Sequence, residues 1–130
     1  MKQTEILLTI KLHQELFIDP KRVRLLKEIK ECGSINQAAK NAKVSYKSAW
    51  DHLEAMNKIS PKPLLERNIG GKNGGGTSLT TYAERLLQLY DLLEQTQEHA
   101  FHILQDETIP LNSLLSATAK FSLQLSLIHI

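Results

Sequence analysis

With 130 residues, 42% of them hydrophobic and 23% charged, the chain is long enough to bury one core and too apolar for wholesale disorder. No run approaches the ~18 consecutive apolar residues of a membrane span. The net charge of +2 conceals an asymmetry: residues 1–80 hold 14 Lys/Arg against 8 Asp/Glu, a balance of +6, whereas residues 81–130 hold 2 against 6, a balance of −4.

A polyanionic partner would therefore meet the front of the chain. Cys32 is the sole cysteine, which excludes an internal disulfide and favours a cytoplasmic location. It lies among helical apolar residues with no base or second thiol nearby in sequence, so it reads as core filler and not as a nucleophile. The start, MKQTEILLTIKL, places Glu5 inside its apolar part and offers no cleavage site of small residues, so it is a poor signal peptide.

In chain order, TEILLTIKLHQELFID mixes alternation (Ile6, Leu8, Ile10, Leu12) with a helical spacing (Leu8, Leu12, Leu16). Its start reads equally as helix or strand, and HQELF reads as helix. DPKRVRLLKEIKECG is a helix with Asp19 as its cap, Pro20 in the first position and Gly33 as its stop. Val23, Leu25, Leu26 and Ile29 form its buried stripe. SINQAAKNA opens on a Ser34 cap with Gln37 at capping-box spacing. SYKSAWDHLEAMNKIS begins at Ser45 and turns Ala49, Trp50, Leu53, Met56 and Ile59 inward. Two helices joined this tightly, with Ala38 and Ala39 at the closest approach, describe a helix-turn-helix.

PKPLLERN then leads through a turn into a brief strand, and TSLT is a second one. Between them, five of the six glycines fall within seven positions, 70–76. A phosphate-binding loop would require Gly-Lys-Ser/Thr at its end, but Gly71-Lys72 is followed by Asn73 and the position five before Gly71 is Glu66. The dinucleotide pattern fails too, for lack of a surrounding βαβ unit. A basic hairpin with a glycine-rich tip is instead a wing, whose backbone approaches a sugar-phosphate rail beside Arg67 and Lys72.

TTYAERLLQLYDLLEQTQEHAFHILQDE is one long helix, with Thr81 and Glu84 at capping-box spacing and Leu86, Leu89, Leu93, Ala100 and Leu104 down one side. Over positions 81–105 it spans ~37 Å, too long for so small a core, which predicts a second copy of the chain against it. After Pro110 the period is unassigned; a helix followed by a strand is one reading. The fold class expected is thus mainly α with a small β-hairpin wing: a winged helix-turn-helix plus a long dimerisation helix.

With its apolar side inward, the helix from Ser45 presents Ser45, Tyr46, Lys47, Ser48, Asp51 and His52 to solvent, in the turns that enter a DNA major groove in such folds. Ser34, Arg67, Lys72 and Asn73 complete the expected DNA-binding set. Trp50 reads as core and not as a stacking platform. His52 reads as a polar surface residue, because the five histidines lack the cysteines or clustered carboxylates of a metal site.

The stretches GSINQAAKNAKVSYKSAWDHLEAMN and LLERNIGGKNGGGTSLTTYAERLLQLY resemble the LysR-like winged helix-turn-helix, and most closely the bacterial molybdate-responsive regulators of the ModE type. The likeness extends over nearly all of residues 4–124, and SYKSAW with this wing is its most specific part. It implies a DNA-binding domain at 1–80, a dimerisation and linker region at 81–124, and a homodimer on a double-stranded operator with dyad symmetry. It also implies control of molybdate-uptake and molybdenum-related genes, commonly as a repressor. The family's oxyanion-binding domains open with a Ser-Ala-Arg-Asn-Gln run. Here Ser126, Leu127, Ile128, His129 and Ile130 stand instead, so residues 125–130 are expected to be a truncated or altered start of that region and the effector site to be absent. The expectation is no cofactor on this chain, molybdate being the effector of full-length relatives. A helical adaptor without a DNA target is the alternative; for an enzyme, no nucleophile–base or carboxylate pair is visible.

Overall fold

The computed structural model describes residues 5–68 and 76–112. Its elements are β1 (Ile10–Leu12), β2 (Glu15–Ile18), α1 (Pro20–Cys32), α2 (Ile35–Asn41), α3 (Tyr46–Ile59), β3 (Leu65–Asn68), β4 (Gly76–Leu79) and α4 (Thr81–Gln105). The chain divides into two compact units, residues 1–91 and 92–130. The first is a winged helix-turn-helix preceded by a hairpin.

That hairpin replaces the helix expected at HQELF. β1 and β2 pair antiparallel, with Leu12 opposite Glu15 across a two-residue turn. Both turn residues, His13 (φ 51°) and Gln14 (φ 67°), are left-handed, as a type I′ turn requires. The register shifts between Ile10 and Lys11, leaving Phe17 as an extra residue on β2. The bulge breaks strict alternation, and Phe17 and Ile18 are both buried.

α1 has the predicted ends. Asp19 Oδ1 accepts from the Arg22 amide at 2.9 Å, and Gly33 closes the helix at φ 66° with its amide donating to the Ile29 carbonyl at 2.8 Å. Ser34 caps α2 and Ser45 caps α3, each accepting from the amide three residues on. Between these helices Lys43 is left-handed (φ 59°), and the Val44 amide returns to the Ala39 carbonyl at 3.0 Å. Ala38 and Ala39, buried at the helix crossing, let the two backbones approach.

β3 and β4 form the wing, with Leu65 opposite Leu79 and Arg67 opposite Thr77. The Thr77 amide donates to the Gly33 carbonyl at 2.9 Å, so the base of the wing is stitched to the end of α1. Residues 69–75, including the predicted contacts Lys72 and Asn73, lie outside the described residues, as do 113–130.

The cap of α4 falls one residue earlier than expected. Thr80 Oγ1 accepts from the Ala83 amide at 3.1 Å and donates to the Pro63 carbonyl at 2.7 Å. Ala83, Leu86, Leu87 and Tyr90 then join the core of the first unit at helical spacing. Leu86 is thus corrected from the dimer face to the chain's own interior, because the first turns of α4 lie on the winged domain. Leu89 is 43% exposed, and Leu93 is half-buried. The Tyr90 hydroxyl donates to the Leu8 carbonyl at 2.9 Å, and Lys27 Nζ pairs with Asp91 at 2.8 Å. In the second unit α4 continues to Gln105, with Leu92 exposed, and ends in a turn where Asp106 accepts from the Thr108 amide and hydroxyl.

Candidate nucleic-acid interface

The exposed face of α3 follows from its cap. Ser45 Oγ accepts from the Ser48 amide at 3.0 Å, which fixes the first turn, and burial of Ala49, Leu53 and Met56 sets the rotation of the helix. Tyr46, Lys47 and Asp51 are consequently exposed, while Ser48 is half-buried. Lys47 Nζ lies 3.6 Å from Asp51 Oδ2, with both side chains largely in water. A pair so exposed is worth little, so it does little to hold the Lys47 ammonium in place. Ser34 Oγ is engaged as a cap, accepting from the Gln37 amide at 3.2 Å, but its residue still borders the groove described below.

His52 departs from the expectation of a solvent-facing side chain. It is half-buried, and its Nδ1 accepts from Arg22 Nε at 3.1 Å. Arg22 is itself buried, and its Nη1 donates to the Leu16 carbonyl at 2.7 Å and the Phe17 carbonyl at 3.2 Å. One guanidinium therefore joins β2, α1 and the recognition helix. Burial, with the Arg22 charge second, holds the His52 imidazole below its ordinary pKa. Burial also lowers Arg22, partly offset by Asp19. Sequence reasoning missed this pairing, since thirty positions separate the two residues. The only local hint was a polar residue, Arg22, one turn before the apolar Leu26.

Trp50 is half-buried against the core, as expected, but also forms part of the surface. Tyr46, one turn earlier, meets its ring edge-on with centroids 6.2 Å apart. The Arg67 guanidinium, from β3, lies 5.2 Å from the ring centroid. The i, i+4 spacing of two aromatics could have flagged this face. These side chains border an open groove of about 500 Å³ between the start of α2, α3 and the wing base, completed by Ser34, Asn36 and Thr77. Among its described lining residues Arg67 is the only charged one, so the groove suits an anion.

Among the described residues no group of three or more His, Cys, Asp or Glu side chains could hold a metal ion. None of the described helices is long and apolar enough to cross a membrane.

Comparison with known families matches residues 20–84, from the start of α1 to the first turn of α4, to the bacterial regulatory helix-turn-helix proteins of the lysR family. The protein called transcriptional regulator ModE from Haemophilus influenzae (strain ATCC 51907 / DSM 11121 / KW20 / Rd) is 88% identical over 126 residues, covering 97% of this chain and 49% of its own length. DNA-binding transcriptional dual regulator ModE from Escherichia coli (strain K12) is 58% identical over 125 residues, 95% of this chain and 48% of its own. Molybdenum transport protein ModE from Azotobacter vinelandii is 46% identical over 85 residues, 65% of this chain and 32% of its own. The chain spans about half the length of the first two relatives.

Proposed function

The chain belongs to the lysR family of bacterial regulatory helix-turn-helix proteins, and from that premise we propose that it binds double-stranded DNA as a transcriptional regulator of the ModE type. The observation that carries the proposal is the capped amino-terminal end of α3, which exposes Tyr46, Lys47 and Asp51 on the helix whose Trp50 ring Arg67 of the wing base overlies. A helix end of this kind reads base edges, while cations on either side meet phosphates. The name of the Azotobacter relative, a molybdenum transport protein, supports a regulon concerned with molybdenum transport. On this reading the protein works in the cytoplasm, and two copies joined through α4 address an operator with dyad symmetry, since two heads read two half-sites about one helical turn apart.

The short carboxyl-terminal run Ser126–Ile130 offers one hydroxyl and one imidazole among apolar residues, with no Arg or Lys. A dianion requires several donors to offset the cost of leaving water. We propose that these residues hold no molybdate. Calorimetric titration of the 130-residue chain with molybdate then shows no stoichiometric site that Ser126→Ala with His129→Ala abolishes, and a site that this double variant removes would overturn this part of the proposal.

The test of the main reading is fluorescence anisotropy on a labelled duplex taken from upstream of a molybdate-transport gene, over a series of salt concentrations. Affinity falls steeply with salt, and Lys47→Ala weakens the specific duplex more than a scrambled one. Lys72→Ala weakens both duplexes alike and lowers the log–log salt slope by about 1. Binding indifferent to salt, or equal for both duplexes in parent and variants, would refute a specific DNA-binding role.

A further inference from the structure

Resting on the DNA-binding reading, we propose that the groove between α2, α3 and the wing base is the seat of one DNA phosphodiester, with Arg67 as its cation and the Trp50 ring as the floor that positions that cation. Three observations converge on it. The first is charge: Arg67 is exposed, and no acidic side chain is among the groove's described lining residues. Among the described lining residues one cation beside Ser34, Asn36 and Thr77 matches a group carrying a single negative charge and several acceptor oxygens.

The second is preorganisation. An exposed arginine on a short strand ordinarily samples many rotamers, and ordering it on binding opposes association. Here the guanidinium lies 5.2 Å from the Trp50 centroid, and the ring is in turn held edge-on by Tyr46 and packed on the core. Attraction of the charge to the ring face uses no conventional hydrogen bond, so the N–H donors of Arg67 remain available to an oxygen. The third is location. The Thr77 amide bond to the Gly33 carbonyl fixes the strand opposite Arg67 against the start of α2, so the seat has a set distance from the reading face of α3. A phosphate held there orients the duplex without reading sequence. Trp50 acts through Arg67 and is a positioning residue.

The chain contains one tryptophan, so emission excited beyond the tyrosine absorption band arises from Trp50, in the wall of this groove. The full chain is titrated with a fluorescein-labelled mixed-sequence duplex, and label anisotropy and Trp50 emission are read in parallel at several salt concentrations. Emission is expected to change with the same midpoint as anisotropy. Arg67→Ala lowers the salt slope by ~0.9. Trp50→Leu weakens binding several-fold, and the double variant binds no worse than Arg67→Ala alone, whereas Trp50→Phe, which keeps a ring under the cation, retains the parent affinity. Thermal melts of each variant establish that it is folded.

If anisotropy shows binding while Trp50 emission is unchanged, or Arg67→Ala keeps the parent slope, the seat is refuted and DNA binding stands. If the two substitutions weaken binding independently, the positioning role of Trp50 is refuted. Melting temperatures that fall with the salt slope intact identify the stack as a structural tether only. No binding of any duplex removes the DNA-binding reading itself, and the seat with it.

Discussion

Arg22→Met separates the contribution of one buried guanidinium from that of the apolar stem around it. Arg22 is 7% exposed, and methionine keeps most of its stem while deleting every donor. Three acceptors lose their partner: the Leu16 carbonyl at 2.7 Å, the Phe17 carbonyl at 3.2 Å and His52 Nδ1 at 3.1 Å. Each buried acceptor left unsatisfied costs about 1–3 kcal/mol. Replacing a whole buried ionic group by apolar residues is often neutral, but that holds only where all partners leave together. Here two main-chain carbonyls stay behind. Half-buried His52 can turn to water, so the carbonyls dominate and the expected loss is ~3 kcal/mol. Against a total of roughly 5–15 kcal/mol this is a large fraction. The assay is urea unfolding at fixed protein concentration, followed by the Trp50 emission. His52→Ala, which removes one bond of the three, is expected to cost about 1 kcal/mol. A loss below ~1 kcal/mol for Arg22→Met, or a larger loss for His52→Ala, would show that the guanidinium does not hold these elements together.

The same pair makes stability depend on pH. His52 accepts a hydrogen bond while neutral, and burial holds its folded pKa below the unfolded one, so the unfolded chain binds the proton first. Stability is therefore complete above the unfolded value of ~6.5 and declines as pH falls through the lower folded value; denaturant midpoints between pH 7 and 5 should show the decline, and His52→Gln should reduce it. Lys43→Gly relieves a left-handed residue that costs ~1 kcal/mol as lysine, so a rise in melting temperature is expected even after the added freedom of the unfolded chain is counted. Leu89→Glu and Leu93→Glu should give folded monomers by light scattering, whereas Leu86→Glu, which buries a charge in the chain's own core, should unfold it. A folded monomer from Leu86→Glu, or a persistent dimer from Leu89→Glu with Leu93→Glu, would contradict that division of α4.

What the sequence disclosed was mostly local. Asp19, Pro20 and Gly33 bound α1 because each acts on backbone groups within four positions, and the Ser34 and Ser45 caps are legible for the same reason. The wing strands could be placed because the glycines left only short apolar runs beside them. The β1–β2 hairpin was missed because His13-Gln14 lacks the Asn or Gly that advertises a left-handed turn, and the helical spacing of Leu8, Leu12 and Leu16 competed with it. Thr80 and Thr81 are both chemically able to cap α4; only the Pro63 carbonyl, seventeen positions away, selects Thr80. Leu86 and Leu89 satisfy the same periodic stripe, and which one faces inward depends on how α4 rests on α1 and on the segment before β1, as the Lys27–Asp91 and Tyr90–Leu8 contacts place it. Arg22 with His52, and Arg67 with Trp50, are tertiary pairings that no window of sequence contains.

These long-range contacts all act on the geometry of one surface. α3 is oriented from behind by Arg22, which reaches it through His52, and from the front by Trp50, against which Arg67 of the wing is placed. The wing is tied independently to the carbonyl of Gly33, the left-handed residue that ends α1 and leads into α2. A side chain at neighbouring Gly76 would sit 3.0 Å from that same carbonyl, so glycine there permits the close approach of strand to helix end. Recognition helix and wing base are thereby held in one frame, although few of the residues that hold them would touch DNA. The expected division is that Lys47 and its neighbours determine which duplex is bound, while the Arg22–His52 and Arg67–Trp50 pairings determine whether helix and wing can engage one duplex together.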